Sequence, residues 1–125
     1  MVARLRIPRL RLSLTEKYLD ERFTTVKGIN IRYVVAGEGP PVLLIHGFGA
    51  FIENWWSNVR PLSERYRVYA LDLPGHGLSD RPVPDYNLSF FTEVIAGFME
   101  AVDIGRAHLV GHSMGGFLCL NLAMV

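Results

Sequence analysis

The sequence has little of what marks the less common classes of protein. A single cysteine, Cys119, stands among its 125 residues, so no internal disulfide can form and a reducing compartment is the default expectation. No apolar run approaches the roughly 20 residues needed to span a bilayer, so stable membrane insertion is not expected. Neither sign of charge dominates. Thirteen Lys and Arg face 12 Asp and Glu, for a formal net charge of +1, which argues against a nucleic-acid partner. Repeats and low-complexity segments are lacking as well. One further lack is local: after Ser113 the chain holds no acid and no histidine.

What is present suits one globular domain. Half of the residues are hydrophobic and 20% are charged, a balance that supports a packed core. Charge is uneven only at the start, where Arg4, Arg6, Arg9 and Arg11 interleave with Leu5, Ile7, Leu10 and Leu12 ahead of the first acid, Glu16. Residues 1–21 therefore read as a basic arm ahead of a domain at 22–125. Pro8 breaks an early helix, and no apolar core of a secretory signal is present. A cytoplasmic location is expected, with organellar import through the arm as the alternative. Cys119, in the run FLCLNL, reads as a small core residue.

From Arg22 onward the pattern alternates strands and helices. RFTTV and INIRYVVAG are rich in β-branched and aromatic residues, and Lys27-Gly28 between them reads as a hairpin turn. VLLIHG is a short continuous apolar run, the mark of a strand buried on both faces. Asn54 is placed to cap a helix running to about Tyr66, with Trp55, Val59 and Leu62 on one face. RVYALDLPG reads as a fourth strand, and 74–87 as a loop rich in Gly and Pro. Leu88 to about Val102 has helical spacing, with Asp103 read as closing the helix and Gly105 just past its end. AHLVGH forms a fifth strand and Met114 opens a third helix. The expected class is α/β with a mostly parallel sheet.

Three strand ends carry the chemistry, because ligands of such sheets gather at the carboxyl ends of the strands. They are His46-Gly-Phe-Gly49, Asp72-Leu-Pro-Gly-His-Gly77 and Gly111-His-Ser-Met-Gly115. A serine hydroxyl becomes a useful nucleophile only when held in the open beside a base. A sharp strand-to-helix turn lifts Ser113 above the sheet, and Gly111 and Gly115 relieve the close approach of strand and helix. The anion formed by attack on a carbonyl needs donors, expected from the N–H groups of Met114 and Phe48. Gly47 and Gly49 let that second backbone turn. His112 adjoins the serine but reads as a polar filler behind the turn. His46 reads as ordering the Phe48 loop, and His76 and His108 as loop and strand residues. Trp55 and Trp56 read as core, with a share in lining a pocket.

The set VLLIHGFG, RVYALDLPGHGLSD and LVGHSMGG, in this order and spacing, resembles the N-terminal half of an α/β-hydrolase. The likeness is to the serine esterase, lipase and C–C-bond hydrolase branch, over about Arg22 to Val125. It implies the first five strands and three helices of that fold, with Ser113 as nucleophile and Phe48 and Met114 as oxyanion donors. It implies a structural role for Asp72 and Ser79. Haloalkane dehalogenases and epoxide hydrolases of this superfamily use an aspartate where Ser113 stands, so both are disfavoured. The implied partner is a small apolar ester, and neither metal nor organic cofactor is implied. The family's acid and histidine follow the serine, after later strands. The 125-residue chain is therefore expected to be truncated before them, marginally stable and silent alone. The alternatives are a cofactor-free haloperoxidase or perhydrolase, and a hydrolase-like protein that binds without turnover. Oligomeric state is not legible.

Overall fold

Lys27 and Gly28 adopt φ values of 52° and 77°, as the central pair of a type I′ turn requires. The turn folds β1 (Asp20–Val26) back onto β2 (Ile29–Ala36) as an antiparallel hairpin in which Val26 pairs with Ile29. The computed structural model describes residues 20–83 and 85–124. The expected basic arm lies outside them, apart from Asp20 and Glu21, which already belong to β1.

Three further strands, β3 (Pro41–Ile45), β4 (Arg67–Leu71) and β5 (His108–Gly111), complete a mixed sheet in the order β1-β2-β4-β3-β5. β3 pairs in parallel with β4 and β5, while β2 pairs antiparallel with both β1 and β4. Four of the five strands thus run one way and only β2 is reversed. The apolar run of β3 is buried on both faces, as its composition requires. Leu43 and Ile45 join a cluster with Ile31, Tyr69, Leu71 and Leu118, and Val42 and Leu44 join one with Val59 and Val68.

Helices cover both faces. α1 (Trp56–Leu62) packs on the Val42–Leu44 face, where Trp55, Trp56 and Tyr66 also lie. α2 (Leu88–Ala101) packs on the other face, burying Phe91, Val94, Ile95 and Phe98 at the spacing of one helical stripe. Asn87 caps it by accepting the Phe90 N–H at 2.8 Å. α3 (Met114–Ala123) lies beside α2 on that same face. It buries Gly115 and Leu118 and leaves Phe117 and Leu120 exposed, and Met124, just past its end, is exposed too. Cys119 is half-buried against this core, which pushes its thiol pKa up.

One local expectation needs correction. The helix expected from Asn54 to Tyr66 is shorter and begins differently. A 3₁₀ turn spans Ile52–Trp55, α1 follows only as far as Leu62, and Pro61 lies in its last turn. Asn54 caps by reaching back, its Oδ1 accepting the Phe51 N–H at 3.1 Å. The turn starts early because the Ile52 N–H is held at 2.8 Å by the carboxylate of Asp72, a tertiary bond with no local signature. At the end of α2, the left-handed residue is Asp103 (φ 59°), with Ile104 N–H donating to Met99 O at 2.7 Å. Asp103 thus closes the helix as expected, with Gly105 just past it.

Candidate active site

β3 and β5 are neighbours, yet the helical segments that follow them cover opposite faces of the sheet. The crevice at their carboxyl ends is thus a topological switch point, the place where open α/β sheets take their ligands. The loop after β3 brings Gly47 and Phe48 to it, and the end of β5 brings Gly111, His112 and Ser113. Gly47, Phe48, Gly111, His112 and Ser113, with Trp55 and Asn58, line a cavity of about 600 Å³, and Gly49 lines the neighbouring cleft beyond Phe48.

Ser113 has φ 55° and ψ −121°, a conformation that costs a non-glycine residue roughly 1–3 kcal/mol. It occupies the N-cap position of α3, where a serine hydroxyl normally accepts an N–H of the first turn. Here the side chain makes no such bond, and the residue is exposed. The turn is tight enough to demand its glycines. A Cβ at Gly111 would stand 2.2 Å from Gly115 O, and one at Gly115 would stand 2.0 Å from Ile45 O. A Cβ at Gly47 would stand 3.1 Å from that of Ser113, so the two strand-end loops touch. Met114 begins α3, and its N–H is one of the first-turn donors that lack an intrahelical acceptor.

The Phe48 loop is held on all sides. Gly47 O accepts the Ala50 N–H at 3.1 Å and lies 2.7 Å from His46 Nδ1. His46 Nε2 accepts the Leu73 N–H at 3.0 Å, so the proton sits on Nδ1, which donates to Gly47 O. His46 is 1% exposed, and burial lowers its pKa to about 4, so it is neutral at pH 7. Gly49 N–H donates to His76 Nε2 at 3.0 Å, and His76 Nδ1 faces Pro74 O at 2.9 Å. Among the described residues, no acceptor is bonded to the Phe48 N–H.

The loop after β4 supports this arrangement from below. Asp72, fully buried, accepts N–H bonds from Ile52 at 2.8 Å and Leu78 at 2.9 Å, and lies 3.3 Å from Arg32 Nη1. Burial pushes its carboxyl pKa up, and the Leu78 and Ile52 N–H groups and Arg32 pull against that shift. Ser79 Oγ donates to Asp72 O at 2.6 Å and accepts the Arg32 N–H at 2.9 Å. Arg32 also pairs with Glu53 at 2.9 Å and with Glu21 at 3.5 Å. Burial works against its charge, but the Glu53 hydrogen bond and the three carboxylates outweigh that and raise its pKa.

The structure therefore brings Ser113, Gly111, Gly47 and Phe48 to one crevice, with Met114 and Gly115 in the helical turn that follows Ser113 and Gly49 on the cleft beyond Phe48. His112 is an exposed residue on the cavity wall, and its backbone N–H donates to Ile45 O at 3.1 Å. Trp55 both packs into the core and lines the cavity, and Trp56 packs into the core. Sequence reasoning missed Arg32 and the bond that His76 makes to Gly49. Their partners lie 11–47 positions away, and no local pattern announces such pairs. A larger cleft of about 910 Å³ lies on the far side of Phe48, lined by Phe51, Leu78, Tyr86 and Phe91 among others, and does not include Ser113. Among the described residues no group of three or more His, Cys, Asp and Glu is placed to hold a metal ion. No helix there is long and apolar enough to cross a membrane.

Comparison with known proteins agrees with this geometry. The chain is 45% identical over 104 residues to the dihydrolipoyllysine-residue acetyltransferase component of the acetoin cleaving system of Cupriavidus necator, covering 82% of this chain and 28% of that protein. It is 38% identical over 115 residues to the 2-hydroxy-6-oxo-6-(2'-aminophenyl)hexa-2,4-dienoic acid hydrolase of Metapseudomonas resinovorans, covering 89% and 40% respectively. Among solved structures, a bacterial membrane phospholipase A superposes with a TM-score of 0.89 at 40% identity, over 94% of this chain and 39% of that one. The chain thus spans well under half the length of these relatives. A model of the α/β hydrolase fold matches residues 40–125. With the sheet order, the strand-to-helix turn and the relatives in agreement, the chain belongs to the α/β hydrolase fold family.

Proposed function

We propose that this chain carries the nucleophile and the oxyanion loop of a serine hydrolase that transfers acyl groups to water. Ser113 Oγ attacks the substrate carbonyl carbon while a histidine takes its proton. The N–H groups of Phe48 and Met114 hold the resulting oxyanion. Collapse expels the alcohol, which recovers the proton from the histidine and leaves an acyl-Ser113 ester. Water, deprotonated by the same histidine, then releases the acid and restores the serine.

The observation that carries the proposal is a serine in the N-cap position that does not cap. The helix forgoes an interaction typically worth about 1 kcal/mol, and the backbone accepts left-handed strain at the same residue. Both are understandable if the hydroxyl has another use, where the loops after β3 and β5 meet. A serine here, in place of a carboxylate, argues against epoxide opening, although epoxide hydrolases are among the relatives. The apolar parts of the cavity, Phe48, Trp55 and Val110, suit small apolar esters.

None of the four histidines of this chain is set to act as the base. His46 and His76 use both ring nitrogens, His108 meets the Tyr66 ring edge to face, and His112 leaves Ser113 without a bond. In this proposal the acid and histidine lie beyond Val125, in that order. The test is hydrolysis of p-nitrophenyl acetate by the natural protein expressed from its complete reading frame. Ser113→Ala is expected to lower kcat by about 10⁴-fold or more. Unchanged turnover in that variant would overturn the proposal.

A further inference from the structure

His76 stands outside every residue set that the serine chemistry calls on, yet its ring is nearly buried and both nitrogens are committed. Nδ1–H donates to Pro74 O at 2.9 Å, which leaves the lone pair of Nε2 to accept the Gly49 N–H at 3.0 Å. Its ring is also boxed in, 4.9 Å from that of His46, 5.8 Å from Phe48 and 6.2 Å from Phe91. We infer that His76 is a positioning residue for the proposed reaction. It holds the Phe48–Gly49 peptide so that the preceding N–H, that of Phe48, faces the oxyanion.

The geometry runs through two rigid peptide planes. The Gly47–Phe48 plane carries Gly47 O on one edge and the Phe48 N–H on the other, pointing the opposite way. Its carbonyl end is held by the Ala50 N–H and by His46 Nδ1. That fixes one side of Phe48 but leaves its ψ free. The next plane, Phe48–Gly49, carries the Gly49 N–H, and His76 Nε2 is the group that holds it. With both planes held, the backbone of Phe48 has no soft torsion left. This matters because the Phe48 side chain is 82% exposed and gives the residue little anchorage of its own. A donor that drifts by about 1 Å can lose 10²-fold in rate, since it acts only if aimed before the charge develops.

The inference rests on the serine-hydrolase reading, so its test must separate the two. In the natural protein, His76→Phe keeps a ring among His46, Phe48 and Phe91 but has no acceptor. His76→Gln restores an acceptor oxygen. With p-nitrophenyl acetate, His76→Phe is expected to lower kcat about 10- to 100-fold with KM within about threefold, and His76→Gln to recover most of the loss. A kcat within about twofold in His76→Phe, a loss confined to KM, or a glutamine no better than phenylalanine would overturn the inference. Should His76→Phe fail to fold, two measurements decide. One is the through-hydrogen-bond ¹⁵N–¹⁵N coupling between the Gly49 amide and His76 Nε2 in the wild type. The other is kcat in His76→Gln. Coupling with near-wild-type kcat supports the inference, and lack of either overturns it. Turnover that survives Ser113→Ala sinks the parent reading and the role of His76 with it. Turnover that needs Ser113 but ignores His76 sinks only the inference.

Discussion

A few residues at the crevice are fixed by contacts too close to vary. The carbonyl of Ile45 lies where a Gly115 methyl would go, at 2.0 Å, and backbone cannot yield as a flexible side chain can. Gly115→Ala is therefore expected to destabilise by about 3 kcal/mol or more, at the upper end of overpacking costs, read as a lowered urea midpoint. A change under about 0.5 kcal/mol would contradict this packing. His46 makes a second residue-scale prediction. Its folded pKa of about 4 lies below the ordinary 6.5, because burial penalises the charged ring. Between pH 6.5 and about 4 the unfolded chain takes up a proton that the folded chain refuses. The stability contributed by neutral His46 is thus complete above pH 6.5 and falls as the pH drops through that window, by roughly 3 kcal/mol in all. NMR titration of the His46 ring is expected to show a midpoint near 4, and one near 6.5 would contradict the account.

Among the elements, the loop after β4 is the brace of the site. Asp72 gathers two backbone N–H groups and Arg32 in a place closed to water. Asp72→Ala would leave the Arg32 charge buried with one partner fewer, at an expected cost of about 3–5 kcal/mol, measured by thermal or chemical unfolding. On the opposite side of the sheet from α1, Phe98 is fully buried in the last turn of α2, and Phe98→Ala is expected to cost about 3–5 kcal/mol through the cavity it leaves. These elements differ in how far they could be read from sequence. The β1–β2 hairpin was legible because Lys27-Gly28 carries its own turn geometry. β3 was legible because a strand covered on both faces has no polar positions to show. The stripe Phe91, Val94, Ile95 and Phe98 announced α2 by its spacing. The start of α1 was not legible, because Asp72 sets it by holding the Ile52 N–H from 20 positions further along. The end of α2 was legible at Asp103, which takes the left-handed turn just past the apolar stripe. The Ser113 crevice could be anticipated from three strand ends. The bracing of Phe48 by His76 could not, since nothing beside a histidine in a glycine-rich loop points to a partner 27 positions back.

For the molecule as a whole, the sheet order and the two-sided helical cover are those of an α/β hydrolase, and the described residues place a strained, unengaged serine at its switch point. The oxyanion donors and the serine lie on this chain in our account, and the general base does not. The isolated polypeptide 1–125 is accordingly expected to be silent toward p-nitrophenyl acetate. Turnover by pure monomeric 1–125, abolished by Ser113→Ala, would show that a base within these residues had been overlooked. The most direct measurement is covalent labelling of the complete natural protein with a fluorophosphonate, followed by mass mapping of the adduct. We predict a single adduct on the peptide containing Ser113, lost in Ser113→Ala. A well-folded protein that takes up no label, or takes it elsewhere, would contradict the central claim and favour a binding protein that keeps the fold without the chemistry.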